Sequence, residues 1–477
     1  MKFHGQIFNE EEQNQIHLNS LRILEEVGVR YFGNLAPQIF RKNGIHLHPD
    51  ERIARIPKEM VEHCLQSTPG SFILGSRNPQ FNYPLPSPVS RYCIDGTAAF
   101  TLDFDTGERR YGTRKDIENG LRVFQQMDMG IMAWAPTCAS DVPANSRALH
   151  EFFTMLKFCS KHGEHELHHI DQVPYLIAGL KAILGSEDKI KSSGICSLIY
   201  CPVAPLTHDG DMLDAYLELG EYHLPVMIMP MPVPGTTGPA SLFSNIALAN
   251  AEVLATIVIM QLANPGRPLI YSSATGSLDF RNGGYLAGTP EMGLQSAALA
   301  VMGQYYHIPS SSAGCSSDAK QPGPEAVIEK IITSLPAVLV GSDIIVGTGE
   351  IESDQTLILE QLVIDNEIGH LLQRLAEGVD TSQEQDLFED ILQVGPGGHF
   401  LKARSTRRAA RSKEFYTPQI IDRQFFDAWL SLGKPSMYAN ARQKVKDILA
   451  GPVIDPLPED VVKELDEILL KADREIQ

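Results

Sequence analysis

From about residue 129 onward, short apolar runs alternate with longer segments in which apolar residues recur every three or four positions. The short runs contain few interior charges, which is typical of strands buried on both faces. The pattern predicts seven strands, and a short eighth strand at 399–401 would complete the series. The seven lie at residues 130–135, 166–170, 195–200, 225–230, 268–272, 308–313 and 343–346.

The longer segments have the spacing of amphipathic helices that pack on a sheet. They lie at residues 146–160, 171–184, 211–222, 241–262, 290–306, 324–337 and 357–375. Strict alternation of strand and helix predicts a parallel sheet, and eight such units close into a barrel. A G-x-G-x-x-G after the first strand would favour an open, doubly wound sheet, and the sequence has none. We therefore predict an α/β fold, a (β/α)8 TIM barrel.

The ends of the chain do not follow the alternation. Residues 1–128 are predicted to form an N-terminal α+β extension, with helices at 10–27 and 57–66 and a β-rich stretch at 72–111. The barrel is expected over residues 129–415. Residues 416–477 are expected to form C-terminal helices, at 418–432, 439–449 and 458–476.

Composition and charge exclude some classes of partner. The 477 residues carry a formal net charge of −19, which disfavours nucleic acid and an anionic membrane surface as partners. The N-terminus has no signal-peptide pattern, and Asn250, Glu252 and Gln261 interrupt the most apolar stretch, 248–263, which is too short to span a membrane. Seven cysteines without a C-x-x-C pair are expected to be reduced thiols, so we expect a cytoplasmic protein.

In parallel barrels the reacting groups lie at the carboxyl ends of the strands and in the loops that follow. In this sequence those positions are rich in Tyr, Met, Pro and small residues, and obvious catalytic pairs are scarce. They include Trp134, Tyr200, His208, Met229, Met231, Tyr271, Lys320 and Glu350.

Three motifs near these positions point to other chemistry. HELHH at 165–169 matches the zinc motif HExxH, which requires a helix, but we interpret the stretch as entering a strand, where positions four apart lie about 13 Å from each other. Lys320 would form a Schiff base in a barrel lyase or aldolase, although Asp318 favours an ion pair. VGPGGHF at 394–400 lacks the P-loop pattern and is interpreted as a tight turn that presents His399.

Several stretches, in order along the chain, resemble the trimethylamine methyltransferase superfamily. They are DFDTGERRYGTRKD at 103–116, ATGSLDF at 274–280, GTPEMGL at 288–294, YYHIPSSSAGCSSDAK at 305–320, LVGSDIIVGTGEIES at 339–353, EQLVIDNEIG at 360–369 and VGPGGHFL at 394–401. Members of this family are (β/α)8 barrels, so the resemblance implies the fold that the alternation predicts. The founding trimethylamine enzyme contains pyrrolysine, whereas this sequence has only standard residues and resembles the larger group without it. Gly323, Glu325 and Ser405 depart from the pattern of the relatives and leave the exact substrate open.

The resemblance implies a methyltransferase that acts on a quaternary amine such as glycine betaine, proline betaine or carnitine. Its acceptor would be the Co(I) of a cobalamin-type corrinoid on a separate partner protein, and the chain itself would bind no cofactor and no metal. The sequence leaves open whether the chain forms a homo-oligomer. Two rival functions also stay open: a Schiff-base lyase or aldolase using Lys320, and a protein that binds a betaine without catalysis.

A quaternary ammonium has no N–H to donate, so its site needs aromatic faces and a counter-charge. If the substrate has a carboxylate, the site also needs donors for it. Given the activity that the resemblance implies, Trp134, Tyr200 and Tyr271 are the candidate cage residues and Glu350 is the candidate counter-charge. Candidate carboxylate partners are Arg114, His208 and His399.

Overall fold

Eight parallel strands form the centre of the structure, a computed structural model that describes residues 3–47 and 52–476. An isolated parallel bridge between Tyr271 and Ser310 joins the sixth strand to the start of the seventh, so the sheet is a nearly closed barrel. The strands are β1 (Arg91–Ile94), β2 (Gly130–Ala133), β3 (His162–His165), β4 (Cys196–Tyr200), β5 (Val226–Ile228), β6 (Leu269–Tyr271), β7 (Ser311–Ala313) and β8 (Ile344–Thr348).

Each strand is followed by a helix of the outer layer, which confirms the predicted (β/α)8 fold. One further helix, Glu187–Ser193, precedes β4. The helices are α1 (Arg114–Gln125), α2 (Arg147–Phe158), α3 (Val173–Leu184), α4 (Gly210–Glu218), α5 (Leu242–Ala263), α6 (Pro290–Tyr305), α7 (Pro324–Val340) and α8 (Leu359–Glu377). Local signals set several helix starts: Ser241 and Thr289 cap α5 and α6 with their hydroxyls, and α6 opens on Pro290.

Two strand predictions are wrong. The barrel begins with β1, inside the segment 1–128 that the sequence assigns to the extension, and no strand forms at residues 399–401, where Phe400–Lys402 is a short 3-10 turn. The second predicted strand is misplaced by four residues, because β3 has the polar sequence HGEH. Its two histidines are buried with partners: His162 contacts the Gly75 carbonyl at 2.8 Å and the Ser197 hydroxyl at 3.0 Å, and His165 contacts Glu151 at 3.1 Å.

The N-terminal extension contains both helices and strands, as predicted. Its helices are Glu10–Arg22, which continues as a π-helical turn over Ile23–Val27, Leu35–Lys42 and Lys58–Ser67. The strand Val29–Tyr31 pairs antiparallel with Ile53–Ala54 and parallel with Thr207–His208 in the loop after β4. A second pair, Phe72–Leu74 with Tyr83–Leu85, lies before β1. The extension is therefore hydrogen-bonded to the barrel.

Helix α5 is long and apolar enough to cross a membrane by length and composition, contrary to the sequence-based expectation that no segment qualifies. Of its most apolar window, 89% is buried inside the protein. The helix packs against the extension helices Glu10–Arg22 and Lys58–Ser67. Its hydrophobicity therefore follows from burial on all sides within this fold.

Two sets of short strands cover the carboxyl end of the barrel. After β6, Ser277–Leu278 and Tyr285–Leu286 form a hairpin. After β1 and β8, a four-stranded sheet contains Phe100–Leu102, Arg109–Tyr111, Glu350–Ile351 and Thr356–Leu357. These loops complete the walls of the barrel mouth.

The C-terminal helices differ in burial. Met437–Ala450 packs on α8 and α1, and Glu459–Glu475 packs on α3 and α2, with Val445 and Leu465 fully buried. Between α8 and these helices, Phe388–Val394, Arg404–Ala409 and Phe426–Ser431 bury none of their side chains. The predicted helix at 418–432 is thus limited to six residues.

Candidate active site

A cavity of about 370 Å³ opens at the carboxyl ends of the barrel strands. This is the end at which parallel barrels place their reacting groups. Its walls combine two aromatic rings, several methionine and small side chains, and three carboxyl groups. They are formed by Asp95, Gly96, Thr97, Trp134, Glu166, His168, Ile199, Cys201, Met212, Met229, Met231, Ala274, Tyr285, Ala313, Ser316, Val346, Ser353, Asp354 and Gln355.

Trp134 follows β2 and is held in place on two sides. Its indole Nε1 donates to the Glu166 carboxylate at 2.9 Å, and the residue is 7% exposed. Its ring lies against the backbone of Gly96, where an added Cβ would lie 2.0 Å from Trp134 Cδ2. The indole face is therefore presented in one orientation, which suits a cation–π contact.

We expect Gly96→Ala to impair the site by displacing this ring. The new methyl group has no room unless the indole moves, so the KM for the methyl donor should rise about tenfold, the loss of one cation–π contact. Steady-state kinetics measures this change. Gly323→Ala is the matched control, because a Cβ there meets nothing within 4 Å. An unchanged KM in Gly96→Ala would show that Trp134 does not contact the substrate.

Glu166 is itself part of a buried chain of charges. The His165 imidazole lies 3.3 Å from Glu166 and 3.1 Å from Glu151, whose other oxygen accepts from the Ala139 amide at 2.7 Å. Burial alone would lower the pKa of His165, but the two glutamates raise it above its usual value. His165 therefore balances Glu166, which acts mainly to orient Trp134.

Asp95 and Asp354 are two carboxyl groups that line the same cavity. Asp95 directly follows β1, Asp354 lies in the turn after β8, and the two carboxyl groups interact electrostatically. Burial, and then the Asp354 charge, raise the pKa of Asp95 well above its usual range, and burial raises the pKa of Asp354 to about 6. Two carboxyl groups this close favour holding a proton, or a bound cation, between them.

A second layer of charge lies behind this pair. Lys330 is fully buried in α7 and contacts Asp365 of α8 at 3.0 Å. Glu350 is also fully buried, and neither of its carboxylate oxygens has a hydrogen-bond partner among the described residues. Burial, and then the Asp95 and Asp354 charges, raise the pKa of Glu350 well above its usual range. Within this group of one ammonium and four carboxyl groups, positive charge is in deficit.

The hairpin after β6 supplies the second aromatic wall. Tyr285 lines the cavity, and its ring packs on Gly276, where an added Cβ would lie 2.2 Å from the ring. Met229 and Met231, in the loop after β5, add polarizable apolar surface. The mouth therefore offers the aromatic and soft apolar surface that a methylated ammonium group requires.

The structure places only one of the predicted cage aromatics, Trp134, on the cavity. Tyr200 is fully buried and its hydroxyl contacts His208 Nδ1 at 2.8 Å. His208 is stacked on Tyr31 with ring centroids 4.4 Å apart, and burial lowers its pKa to about 3. Both residues thus join the barrel to the extension, and a neutral buried imidazole is not a carboxylate partner.

Tyr271 also points away from the mouth. Its hydroxyl donates to the Asn250 side chain of α5 at 2.7 Å, in the layer outside the barrel. Residues Tyr200, Ile228 and Tyr271 pair in register across β4, β5 and β6. Because side chains alternate between the two faces of a strand, the two tyrosines share the outward face, while Ile199 lines the cavity.

We therefore expect Tyr271→Phe to affect stability and leave catalysis intact. The variant leaves the Asn250 carbonyl without its donor, which should cost about 1–2 kcal/mol. Denaturant unfolding measures the free energy, and steady-state kinetics should give an unchanged KM. A KM raised about tenfold would instead indicate that the Tyr271 ring contacts the cation.

The remaining predicted residues lie apart from the cavity wall. Arg114 opens α1, is exposed, and donates from its backbone to Asp141 at 2.8 Å. His399 is exposed in the segment between α8 and the last helices. Glu350 lies near the cavity carboxyls without lining the cavity. Neither Arg114 nor His399 therefore lines the cavity.

The rival motifs do not form the sites they would need. His165 ends β3 and His169 caps the short turn Ile170–Gln172, so the histidines of HELHH do not share a helix face. Over residues 3–47 and 52–476, no group of three or more His, Cys, Asp or Glu side chains is placed to hold a metal. Lys320 is exposed and donates to the Asp318 carbonyl, which is unlike the desolvated lysine of a Schiff-base enzyme.

Comparison with known proteins identifies the family. The family model described as trimethylamine methyltransferase (MTTB) matches residues 3–477. The trimethylamine methyltransferases of Methanosarcina barkeri and Methanosarcina thermophila are 31% and 32% identical over 98% and 96% of this chain, and 95% and 96% of theirs. A glycine betaine methyltransferase of Desulfitobacterium hafniense is 29% identical over 98% of both chains.

Solved structures agree on the fold. A hydroxylamine complex of MtmB has a TM-score of 0.51, and the Methanosarcina barkeri monomethylamine methyltransferase MtmB has 0.50. Each is 10% identical and covers 94% of this chain and 89% of its own. With the family match over nearly the whole chain, these findings show that the chain belongs to the trimethylamine methyltransferase family and is a methyltransferase.

Proposed function

We propose that the enzyme moves a methyl group from a small quaternary amine to the Co(I) of a separate corrinoid protein and releases a tertiary amine. The observation that carries the proposal is the cavity at the barrel mouth, which is lined by both Trp134 and a carboxyl pair, Asp95 and Asp354. Aromatic faces and carboxylates attract a cation that has no N–H to donate. The glycine betaine methyltransferase among the relatives supports a quaternary substrate.

The residues present fit a reaction that depends on positioning. When the methyl–nitrogen bond breaks, its electron pair stays on nitrogen and a neutral tertiary amine leaves, so no acid need supply a proton. The reduced corrinoid of the partner protein supplies the electron pair for the new bond to carbon. The chain must hold the methyl–nitrogen axis toward the open end of the cavity. We propose that Trp134, held by Glu166 and Gly96, and Tyr285, packed on Gly276, perform this positioning.

The carboxyl pair contributes to the binding of the substrate. The substrate is a cation before the methyl group is transferred, so Asp95 and Asp354 attract it to the cavity. We infer that the partner protein docks at the open end of the cavity and that the reaction takes place in the cytoplasm.

The test is a panel of quaternary amines mixed with the enzyme and a protein-bound Co(I) corrinoid. Formation of methyl-Co(III), followed in the visible spectrum, is the expected result with at least one amine. Calorimetry on the same panel identifies which amines bind. Binding without any methyl-Co(III) would instead support the rival function, a protein that binds a quaternary amine without transferring its methyl group.

A further inference from the structure

The charged groups that line the cavity are almost all of one sign. Asp95, Glu166 and Asp354 contribute carboxyl groups, and His168 contributes an imidazole. Among the residues that the structure describes, no lysine or arginine lines this cavity. A bound carboxylate would therefore meet carboxyl groups, with His168 as the one basic side chain among the lining residues.

Lys330 is the buried ammonium that interacts with these carboxyl groups, but it does not offer a positive charge to a ligand in the cavity. Lys330 influences the pKa of Asp95, Glu350 and Asp354, yet it does not line the cavity. An ammonium has three N–H donors, and Lys330 donates to the carbonyls of Cys315 and Gly347 and to Asp365. No donor of Lys330 is left for a substrate carboxylate.

Two cations in the loops around the mouth donate hydrogen bonds to partners within their own loops. Arg281, in the hairpin that carries Tyr285, donates to both oxygens of Asp279 at 2.9 and 3.0 Å. Lys320 is exposed and donates to a carbonyl of its own loop. The three residues that the sequence offers as carboxylate partners, Arg114, His208 and His399, do not line the cavity.

We propose that this cavity selects a quaternary ammonium that carries no anionic group, so that a choline-like cation is preferred to a betaine. This inference rests on the proposed function and narrows its substrate class. The physical reason is the cost of burying an anion without a partner. A carboxylate placed beside Asp95 and Asp354 loses its water and meets the negative charge of the ionised pair, whereas a hydroxyl or alkyl group in that place has no such cost.

Four probes of similar shape separate charge from size. Choline is a cation with a neutral tail, and glycine betaine is a cation with a carboxylate. The methyl ester of glycine betaine restores a neutral tail, and 3,3-dimethyl-1-butanol replaces the nitrogen of choline with carbon and has no charge. Calorimetry at pH 8, above the pKa of about 6 of Asp354, measures the binding of each probe to the enzyme.

The expected order of affinity places choline and the betaine ester at least about tenfold above glycine betaine, since like charges side by side cost more than 1.4 kcal/mol, the equivalent of tenfold. The uncharged isostere should bind weakest. The inference would be overturned if glycine betaine bound as tightly as choline or more tightly. It would also be overturned if the uncharged isostere bound as tightly as choline, or if none of the four probes bound.

A charge-neutral variant and the transfer assay complete the test. Asp354→Asn should narrow the ratio between choline and glycine betaine, and Glu352→Gln, an equal change of charge outside the cavity lining, should leave it unchanged. A ratio that Asp354→Asn does not move would overturn the assignment. Methyl transfer to Co(I) from glycine betaine as fast as from choline would overturn the charge preference while supporting the proposed function. Preferential binding of choline with no methyl transfer from any amine would support the charge preference and contradict the proposed function.

Discussion

Asp354→Asn is expected to weaken the binding of a quaternary ammonium by about 30-fold or more. Removing one partner of a desolvated charge contact typically costs 2–5 kcal/mol, and about 2 kcal/mol corresponds to this factor. Asparagine keeps the size of the side chain, so the cavity should retain its shape. Calorimetry with choline measures the loss directly, because a quaternary ammonium does not itself titrate.

The same variant should change the pH dependence of binding. In the native enzyme the pKa of Asp354 is raised to about 6 by burial, and Asp95, Asp318, Lys330, Glu350 and Ser316 are the neighbouring groups that modify it. A bound cation favours the ionised carboxylate, so affinity should be high above pH 6 and fall as the pH drops through 6. Asp354→Asn should remove this step from the profile.

Glu352→Gln provides the control for long-range charge. Glu352 lies two residues away, pairs with Arg109 at 2.8 Å, and does not line the cavity. Its loss should change affinity less than about twofold, because partly exposed charges are screened. If the two variants weaken binding equally, the cation is attracted by the overall charge of −19 and not by a specific contact with Asp354.

The barrel was predictable because its helices and most of its strands follow their hydrophobic periods. The missed strand β1 and the misplaced strand β3 have physical explanations. The run RYCI that forms β1 follows a series of turns, and two short strands, Phe100–Leu102 and Arg109–Tyr111, separate it from helix α1, so the first βα unit was not recognised. The strand HGEH is buried through hydrogen bonds to Gly75, Ser197 and Glu151, and such partners cannot be identified from hydrophobicity.

The candidate site was less predictable, because the position of a strand end does not say which face a side chain occupies. That ambiguity placed Tyr200 and Tyr271 in the cage, whereas both lie on the outward face. The residues that the sequence missed, Asp354 and Tyr285, come from loops well beyond the strands and reach the mouth only through the folded hairpins. The sequence predicts a turn at Asp95-Gly96. If β1 had been recognised before this turn, Asp95 would have been assigned to the carboxyl end of a barrel strand.

Lys330→Met is expected to destabilise the fold by about 3–5 kcal/mol, the usual cost of breaking a buried ion pair by removing one partner. Lys330 is fully buried, and burial alone would lower the pKa of its ammonium, but Asp365 raises it above the usual value. Methionine keeps most of the length of the side chain and removes three hydrogen bonds, to the carbonyls of Cys315 and Gly347 and to Asp365. Urea unfolding followed by circular dichroism measures the free energy.

The sign of the pH effect distinguishes loss of charge from loss of packing. Burial raises the pKa of Asp365 and Lys330 lowers it, so removing the ammonium should raise this pKa further in the folded state. A carboxyl group whose pKa is raised in the folded state binds more protons in the folded than in the unfolded protein. The stability that Asp365 costs the variant therefore increases as the pH rises above about 4, the pKa of the group in the unfolded chain. The stability difference between the native protein and Lys330→Met should thus be smallest in acid and largest near neutral pH. A pure packing defect would give a difference that does not depend on pH.

Two further variants locate the effect in the Lys330–Asp365 pair. Lys320→Met removes an exposed lysine from the neighbouring loop and should change the free energy of unfolding by less than about 0.5 kcal/mol. Adding Asp365→Leu to Lys330→Met should recover part of the lost stability, because it removes the carboxylate left without a partner. If the double variant is no more stable than Lys330→Met, the ammonium acts mainly by anchoring the Cys315 and Gly347 carbonyls beneath the mouth. The carboxyl groups that face the cavity would then depend on Lys330 for position as much as for charge.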